Sequence, residues 1–243
     1  MVLSHVSAAI EHGAEVWGFN LDEVHTTRAD GKGGRREAGV VHHVGELGED
    51  DFTVINGVRA VSAVRAAVEV TTQTSVEPAL VVVNSLLHAG AFSSEAFTEV
   101  VRRFKHWPET LSTNVVHRLA DERIESVGES RALHLCWAEG LPMPSPQVIV
   151  RSFDGDVIGR VDLAWPALGV FLEFDGRIKY ERHRPPGESL ADFLMREKAR
   201  EEAICARTGW VCVRIGWADL AEPRLTANRI RRLLASRVHA ARA

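Results

Sequence analysis

The sequence predicts an α+β protein whose C-terminal half holds a small sheet flanked by helices, preceded by a small mixed α/β N-terminal region. Two apolar runs, Val157–Trp165 and Gly169–Phe174, are joined by a turn at Pro166–Gly169 and indicate adjacent strands. A long amphipathic pattern over Ser189–Thr208 ends at Gly209 and indicates a helix. The C-terminal half therefore reads helix, three antiparallel strands, helix, strand, helix.

The first 110 or so residues alternate short helices with short strands. The strongest local signal is Asn56–Gly57 between two apolar runs, because this dipeptide favours a two-residue hairpin turn. A polar, glycine-rich loop is predicted over Arg28–Glu37. The other predicted elements are a helix over Ser4–His12, strands at Val24–Thr27, Val40–Val44, Thr53–Ile55 and Val58–Val61, and helices from Ser62, over Pro78–Ala89 and over Ser93–Phe104.

The pattern breaks at Trp107–Pro108, which predicts two domains, one over 1–110 and one over 111–243. The second begins with two helices, over Leu111–Asp121 and from Ser126 to near Gly140. Its remaining predicted elements are a strand at Val148–Ser152 before the two central strands, a fourth strand at Trp210–Ile215 and a last helix over Pro223–His239.

Composition limits the classes of function. The 243-residue chain is 45% hydrophobic and carries a net charge of −4, whereas a dedicated nucleic-acid-binding protein is usually basic. Charge is unevenly distributed, because residues 224–242 are rich in arginine and residues 46–51 are acidic. The three cysteines lack CxxC spacing, and the chain has neither an apolar run of about 20 residues nor a signal-peptide pattern. We therefore expect a cytoplasmic protein without a membrane anchor.

Asp162, Glu173 and Asp175 are the candidate site residues that follow from the strand pattern. Asp162 and Glu173 interrupt apolar strands, where a carboxylate is costly unless it is paired or metal-bound. Because neighbouring strands lie about 5 Å apart, the carboxylates could converge on one hard cation such as Mg²⁺, which takes oxygen ligands. The alternative is that these acids only solubilise the strand ends.

An ordered set of motifs resembles the PD-(D/E)XK nuclease superfamily, and more narrowly the endonuclease-like domain related to very-short-patch-repair endonucleases. The resemblance covers roughly Glu125 to Leu220. Its elements are Glu129 in GESR, Asp162 in RVDLAW, Glu173–Gly176 as EFDG, the basic helix residues Arg196, Lys198 and Arg200, Gly209–Trp210 and Arg214.

The N-terminal half is similar to the central region of actinobacterial proteins that join an AbiEi-type antitoxin-like module to such a domain. The segments that carry this similarity are LSHVSAA at 3–9, VHTT at 24–27, GVRAV at 57–61 and Val64–Arg65. A winged helix normally precedes this region, and the chain begins after the place where it would lie. DNA binding through a winged helix is therefore not assumed.

The resemblance implies an endonuclease that uses Mg²⁺ or Mn²⁺ to hydrolyse phosphodiester bonds, with DNA as the expected substrate, in phage defence or a toxin–antitoxin setting. Asp162, Glu173 and Asp175 would hold the metal, and Glu129 would hold a metal-bound water. The implied partners are DNA and either a second copy of the chain or a toxin or antitoxin.

The chain departs from the superfamily pattern at Asp175, where a lysine is usual. Lys179 is the expected stand-in as a catalytic cation, and Lys198 is its rival. Contacts to backbone phosphates are expected from five basic residues, Arg177, Arg182, Arg184, Lys198 and Arg214.

Two other interpretations stay open. The fold could be a catalytically weak or inactive nuclease used as a binding module of a toxin–antitoxin system, or the acids could be structural in an interaction protein. Glu129 would then stabilise its helix N-terminus, and Lys198 would pair with Glu202 at i+4. The spacing of His5, His12, His25, His42 and His43 matches no metal motif, so we assign them no ligand role.

Overall fold

The computed structural model describes residues 1–28, 34–107, 110–152, 154–176 and 187–240, which form a mixed α/β structure with two separate sheets. The chain divides into two compact units, Met1–Ser130 and Arg131–Ala243. The division falls inside a helix, later in the chain than the boundary at residues 110–111 that the sequence pattern predicts. The coarse α+β prediction agrees with this structure. Within the described ranges, no helix is both long and apolar enough to cross a membrane.

The N-terminal unit places a sheet against a cluster of helices. The described strands follow the order β3-β4-β2-β1-β6-β5, in which β1 runs parallel to β6 and antiparallel to β2. Its elements are β1 (Val2–Leu3), α1 (His5–Glu11), β2 (Val24–Arg28), β3 (Arg35–Glu37), β4 (Val40–Val44), β5 (Phe52–Ile55), β6 (Val58–Val61), α2 (Ala63–Gln73), α3 (Val76–His88), α4 (Ser94–Arg103) and α5 (Thr110–Leu119), followed by α6 (Val127–Ala138), which crosses into the second unit.

The hairpin prediction is confirmed, because β5 pairs antiparallel with β6 around Asn56 and Gly57. These two residues have φ of 51° and 78°, the left-handed pair that a type I′ turn requires. The loop prediction over Arg28–Glu37 is wrong at its end, because Arg35–Glu37 forms edge strand β3 and pairs antiparallel with β4. All three β3 residues are exposed, so no apolar alternation marked this strand.

The C-terminal unit holds a sheet with strand order β10-β9-β8-β7. Strands β7, β8 and β9 pair antiparallel, and β10 runs parallel to β9, where Glu173 lies opposite Arg214. The elements after α6 are β7 (Ser145–Arg151), β8 (Val157–Trp165), β9 (Val170–Asp175), α7 (Leu190–Thr208), β10 (Val211–Gly216), α8 (Trp217–Ala221) and α9 (Pro223–Ala240).

Helix α7 covers this sheet, and its Ile204 packs with Val161, Ala164 and Phe171 in one buried cluster. Gly159 on β8 permits the close approach, because a Cβ there would lie 3.2 Å from Ile204 Cδ1. Two predictions are thereby confirmed: the strand of Glu173 lies beside the strand of Asp162, and the helix over Ser189–Thr208 covers both.

Replacing Gly57 by Ala should lower the free energy of unfolding by about 1–2 kcal/mol, because alanine resists the left-handed conformation that Gly57 adopts. Gly48→Ala is the matched control, since Gly48 has φ of −75° and its Cβ would meet only Asp51 Oδ2 at 3.5 Å. Urea unfolding of both variants checks this. Equal stability of Gly57→Ala and wild type would contradict the type I′ turn.

Candidate functional site

The site begins where strands β8 and β9 separate. The last backbone pair of these strands on the side of the site is Leu163 with Leu172, and the same register carried one residue further sets Asp162 opposite Glu173. Asp162 is 8% exposed, and its Oδ2 accepts a hydrogen bond of 2.9 Å from the N–H of Phe174. The carboxylate thus satisfies a buried backbone donor at the end of the pairing.

Glu173 is equally buried, at 8% exposure, between the buried apolar residues Leu172 and Phe174. Its Oε1 lies 3.3 Å from Nη2 of Arg200 on α7. The same Nη2 donates to Glu197 Oε2 at 2.9 Å, and Nη1 of Arg200 donates to the carbonyl oxygen of Arg160. Arg200 therefore ties α7 to strands β8 and β9 at the level of Glu173.

Both buried carboxylates act on this one guanidinium. Burial lowers the pKa of Arg200, but the negative charges of Glu173, Glu197 and Asp162 outweigh burial and raise its pKa overall. The Nε of Arg200 is buried and has no hydrogen-bond partner within the described part of the chain. The arrangement is a cation held between acids, with one donor still unused.

Asp175 ends β9 at the edge of this cluster. Its Oδ2 lies 3.7 Å from Nη1 of Arg214, and Nη2 of Arg214 bonds to Glu201 on α7. Burial lowers the pKa of Arg214, while the hydrogen bond and charge of Glu201 and the charge of Asp175 raise it, with a net increase. Arg214 remains partly exposed and keeps its positive charge beside the site.

The donor set fits Mg²⁺ only in part. Asp162 and Glu173 supply buried carboxylates on adjacent strands, and Mg²⁺ commonly takes one or two protein carboxylates together with waters. Across the described residues, however, no group of three or more His, Cys, Asp or Glu side chains is arranged to hold a metal ion. The prediction that Asp162, Glu173 and Asp175 hold one metal ion stays a prediction.

Lys198 has a side chain 77% exposed, and its Nζ lies 3.8 Å from Glu202 Oε1, the i,i+4 pair that the sequence allowed as an alternative. Arg177, Lys179, Arg182 and Arg184 lie outside the described residues.

Glu129 belongs to the N-terminal unit and is fully buried in the first turn of α6. Its Oε1 accepts from the Ser126 hydroxyl at 2.8 Å, and its Oε2 accepts from the N–H of Glu125 at 3.1 Å. The Ser126 hydroxyl in turn accepts from the Glu129 N–H, so these two side chains satisfy backbone donors at the start of α6. The carboxylate thus has a structural role at the helix N-terminus.

Arg200 was not among the site residues predicted from the sequence, although a periodicity signal for it was present. The buried residues of α7 are Phe193 and Ile204, and Arg200 lies seven residues after the first and four before the second. These spacings put all three on one face of a helix. Helical periodicity alone could therefore have marked Arg200 as facing the sheet.

Three histidines in the N-terminal unit also come together. The rings of His5 and His43 stack with centroids 3.7 Å apart, and His25 Nδ1 lies 2.8 Å from His43 Nε2. Burial is the main cause that lowers the pKa of His5 to about 3 and of His43 to about 4, and neighbouring histidines add to it. The cluster is therefore neutral at pH 7, and parallel strands β2 and β4 create it from residues far apart in sequence.

Two proteins of Mycobacterium tuberculosis are similar to this chain over almost its whole length. They are the uncharacterized protein MT2308 of strain CDC 1551 / Oshkosh and the uncharacterized protein Rv2248 of strain ATCC 25618 / H37Rv. Each is 26% identical over 231 residues, which covers 95% of this chain and 82% of the relative. No family model and no solved structure matches the chain.

Substituting Arg200 by Met should lower the free energy of unfolding by about 1–3 kcal/mol, because Glu173 keeps its burial and loses the cation beside it. Lys198→Met on the same helix is the matched control and should change stability by less than about 0.5 kcal/mol, since its pair is exposed. Chemical denaturation measures both. Equal effects of the two substitutions on unfolding free energy would contradict the conclusion that Arg200 stabilises the fold through Glu173.

Acidification should destabilise the N-terminal unit through its histidines. Between pH 6.5 and about 4 the unfolded chain protonates His43 while the folded chain does not, so stability falls as the pH falls. Glu69 has the opposite effect on stability, because burial raises its pKa. The contribution of His43 is therefore measured as the difference in pH dependence between wild type and a variant. The slope of unfolding free energy against pH is proportional to the number of protons taken up on unfolding. His43→Gln should reduce this number by about one.

The control for this experiment is His88→Gln, which removes an exposed histidine from the end of α3. Urea titrations at several pH values give the slope for this variant, for His43→Gln and for wild type. An unchanged slope in His43→Gln would show that His43 is not held neutral in the folded protein.

Proposed function

We propose that the C-terminal unit is a restriction-endonuclease-like domain that hydrolyses phosphodiester bonds in DNA with the help of Mg²⁺ or Mn²⁺. The observation that carries the proposal is the pair of buried carboxylates, Asp162 and Glu173, on adjacent strands beside the guanidinium of Arg200. Buried carboxylates are costly, and their concentration at one place is more typical of a functional site than of a strand end.

The arrangement of elements supports the same proposal. Three antiparallel strands, a covering helix and a fourth strand parallel to the third follow the order of elements in the PD-(D/E)XK resemblance. Glu173 and Asp175 occupy the strand positions that this resemblance assigns to them, and Asp162 lies on the neighbouring strand.

The residues of the site have complementary tasks in this proposal. A metal held by Asp162 and Glu173 would supply Lewis acidity and an acidic bound water. Arg200 positions Glu173 and brings a fixed positive charge to the place where a phosphate would gain negative charge. Arg214, partly exposed next to Asp175, suits a contact with a backbone phosphate. Lys179 remains the proposed stand-in for the usual lysine, and Asp175 a further acceptor near the metal.

A second candidate function is a catalytically inactive nuclease fold that serves as a binding module. The ion pair of Arg200 with Glu173 favours it, because the guanidinium already neutralises a carboxylate that would otherwise be available to a metal. A second argument is that no group of three or more ligand side chains is arranged for a metal among the described residues. In that case the protein binds nucleic acid or a toxin or antitoxin partner without cleaving DNA.

The biological setting is part of the proposal. The similarity of the N-terminal half to AbiEi-type antitoxin-like proteins supports a place in a toxin–antitoxin or phage-defence system. The protein would act on DNA in the cytoplasm. Its partner would be a second copy of the chain or a toxin or antitoxin.

Wild-type protein should cleave plasmid DNA in the presence of Mg²⁺ or Mn²⁺. Asp162→Ala and Glu173→Gln should each lower the cleavage rate at least about 100-fold. Loss of a metal ligand should reduce activity at least as much as loss of a residue that only orients a ligand, which lowers activity by up to about 100-fold. Glu202→Gln is the matched control, since this exposed acid on α7 pairs with Lys198 outside the site. Parallel reactions with single-stranded DNA and RNA identify the substrate class.

Calorimetric titration with Mg²⁺ separates the two candidates. Wild type should bind one ion, and Asp162→Asn/Glu173→Gln should not. Metal binding without cleavage of any substrate would favour the binding module. Cleavage by Asp162→Ala at the wild-type rate would contradict the proposal that Asp162 and Glu173 form the active site.

A further inference from the structure

Helix α9 carries a concentration of positive charge that the candidate site does not use. The helix spans Pro223–Ala240 and contains no aspartate or glutamate, although the whole chain has a net charge of −4. Its five arginines are Arg224, Arg229, Arg231, Arg232 and Arg237. A basic element on an acidic protein is a local feature that overall composition does not explain.

Four of these arginines share the solvent side of α9. The buried residues of the helix are Thr226, Ala227, Ile230 and Leu234. They recur at helical spacing, so one side of the helix faces inward. The other side presents four exposed arginines, which we call the arginine face: Arg224, Arg229, Arg231 and Arg232. Its first and last members are eight positions apart, a rise of about 12 Å along the helix axis.

Most of the charge on the arginine face is not compensated within the described part of the chain. Arg229 is paired with an acid, because its Nη2 lies 2.9 Å from Oδ1 of Asp219. Arg231 donates to a backbone carbonyl and to an amide oxygen, and neither carries a charge to cancel its own. Arg224 and Arg232 make no hydrogen bond and no ion pair with any described residue.

The placement of these arginines does not serve the stability of the helix. Arg224 lies in the first turn of α9, where the partial positive charge of the helix N-terminus disfavours a cation. Arg229 and Arg232 are three positions apart, a spacing at which like charges repel. Glu222, directly before the helix, offsets only part of this charge. A bound polyanion would relieve both unfavourable interactions.

The arginine face adjoins the edge of the sheet that holds the candidate nuclease acids. Nη2 of Arg229 donates to the carbonyl oxygen of Arg214 at 3.2 Å. Arg214 lies opposite Glu173 in the pairing of β10 with β9, and its side chain lies beside Asp175. A strand of nucleic acid bound at these acids therefore has the arginine face next to it.

The character of the face distinguishes among anionic partners. A helix that binds a membrane surface inserts its apolar side, and the apolar side of α9 is buried in the protein. Protein interfaces centre on apolar and aromatic anchors, whereas the single large apolar side chain exposed on the described part of α9 is Leu225. Guanidinium groups match the geometry of phosphate oxygens. Each strand of duplex DNA presents a phosphate about every 3.4 Å, so a face about 12 Å long covers several of them.

We propose that the arginine face of α9 is a docking surface for the phosphate backbone of duplex DNA. The choice of DNA as the partner rests on the proposed function. The face holds the duplex by charge without reading its sequence, and it positions one strand over the acids of β8 and β9. These contacts are additional to the five basic residues that the sequence resemblance suggests.

The test is fluorescence anisotropy of a labelled DNA duplex with the full chain, in EDTA so that no metal-dependent cleavage occurs. Arg224→Gln/Arg232→Gln removes the two arginines without a partner in the described chain, so this variant should melt at or above the wild-type temperature. The slope of log K against log salt concentration should become shallower by about 1.8, which is about 0.9 for each lost phosphate contact.

Arg118→Gln/Arg207→Gln is the matched control. It removes the same charge from exposed arginines of α5 and α7 that also lack an acid partner among the described residues. This variant should keep the wild-type slope. An equal loss of slope in both double variants would show that net charge, and not α9, attracts DNA, and this result would overturn the proposal.

The outcome is independent of the nuclease proposal. Absence of DNA binding by wild type in EDTA, or a wild-type slope in Arg224→Gln/Arg232→Gln, would overturn the docking surface even if the protein cleaves DNA in Mg²⁺. A shallower slope in that variant alone would support the docking surface even if no divalent ion gives cleavage. Binding of wild type to vesicles of anionic phospholipid but not to DNA would assign the face to a membrane and would also overturn the proposal.

Discussion

Burial of carboxylates is the constraint on which the C-terminal unit depends. Asp162 and Glu173 lie where an apolar sheet excludes water, and an uncompensated charge there would cost several kcal/mol. The Phe174 N–H satisfies one carboxylate, and Arg200 compensates the other while it anchors α7 to the strands. The packing of the helix and the electrostatics of the site are therefore parts of one arrangement.

The N-terminal unit uses the same principle at another place. Arg65 is buried between Asp51 and Glu69, as Arg200 is placed among Glu173, Glu197 and Asp162. In each unit one arginine serves several acids, and in each the guanidinium keeps one nitrogen without a partner in the described chain. Such incompletely satisfied buried networks are expensive, and proteins retain them mostly where a ligand or a reaction makes use of them.

Local sequence was a good guide to the elements that build both sheets. The hairpin around Asn56–Gly57, the strands that carry Asp162 and Glu173, and the helix over Ser189–Thr208 all follow from turn chemistry and apolar periodicity. Strand β3 escaped prediction because an exposed edge strand needs only backbone pairing and carries no apolar alternation. The same limit applies to Arg200, whose residue type suggested an exposed helix face although its spacing from Ile204 placed it inward.

The sequence by itself determined the mixed α/β class, the positions of the central strands and the two acids that those strands bury, because these depend on interactions between near neighbours along the chain. Only the tertiary structure decided which cation meets Glu173, that Lys198 points to solvent, that the Glu129 carboxylate bonds to Ser126 and that three histidines stack. Those outcomes depend on which distant segments pack together. Strand register and helix docking select among the candidate partners, and residue type alone does not distinguish them.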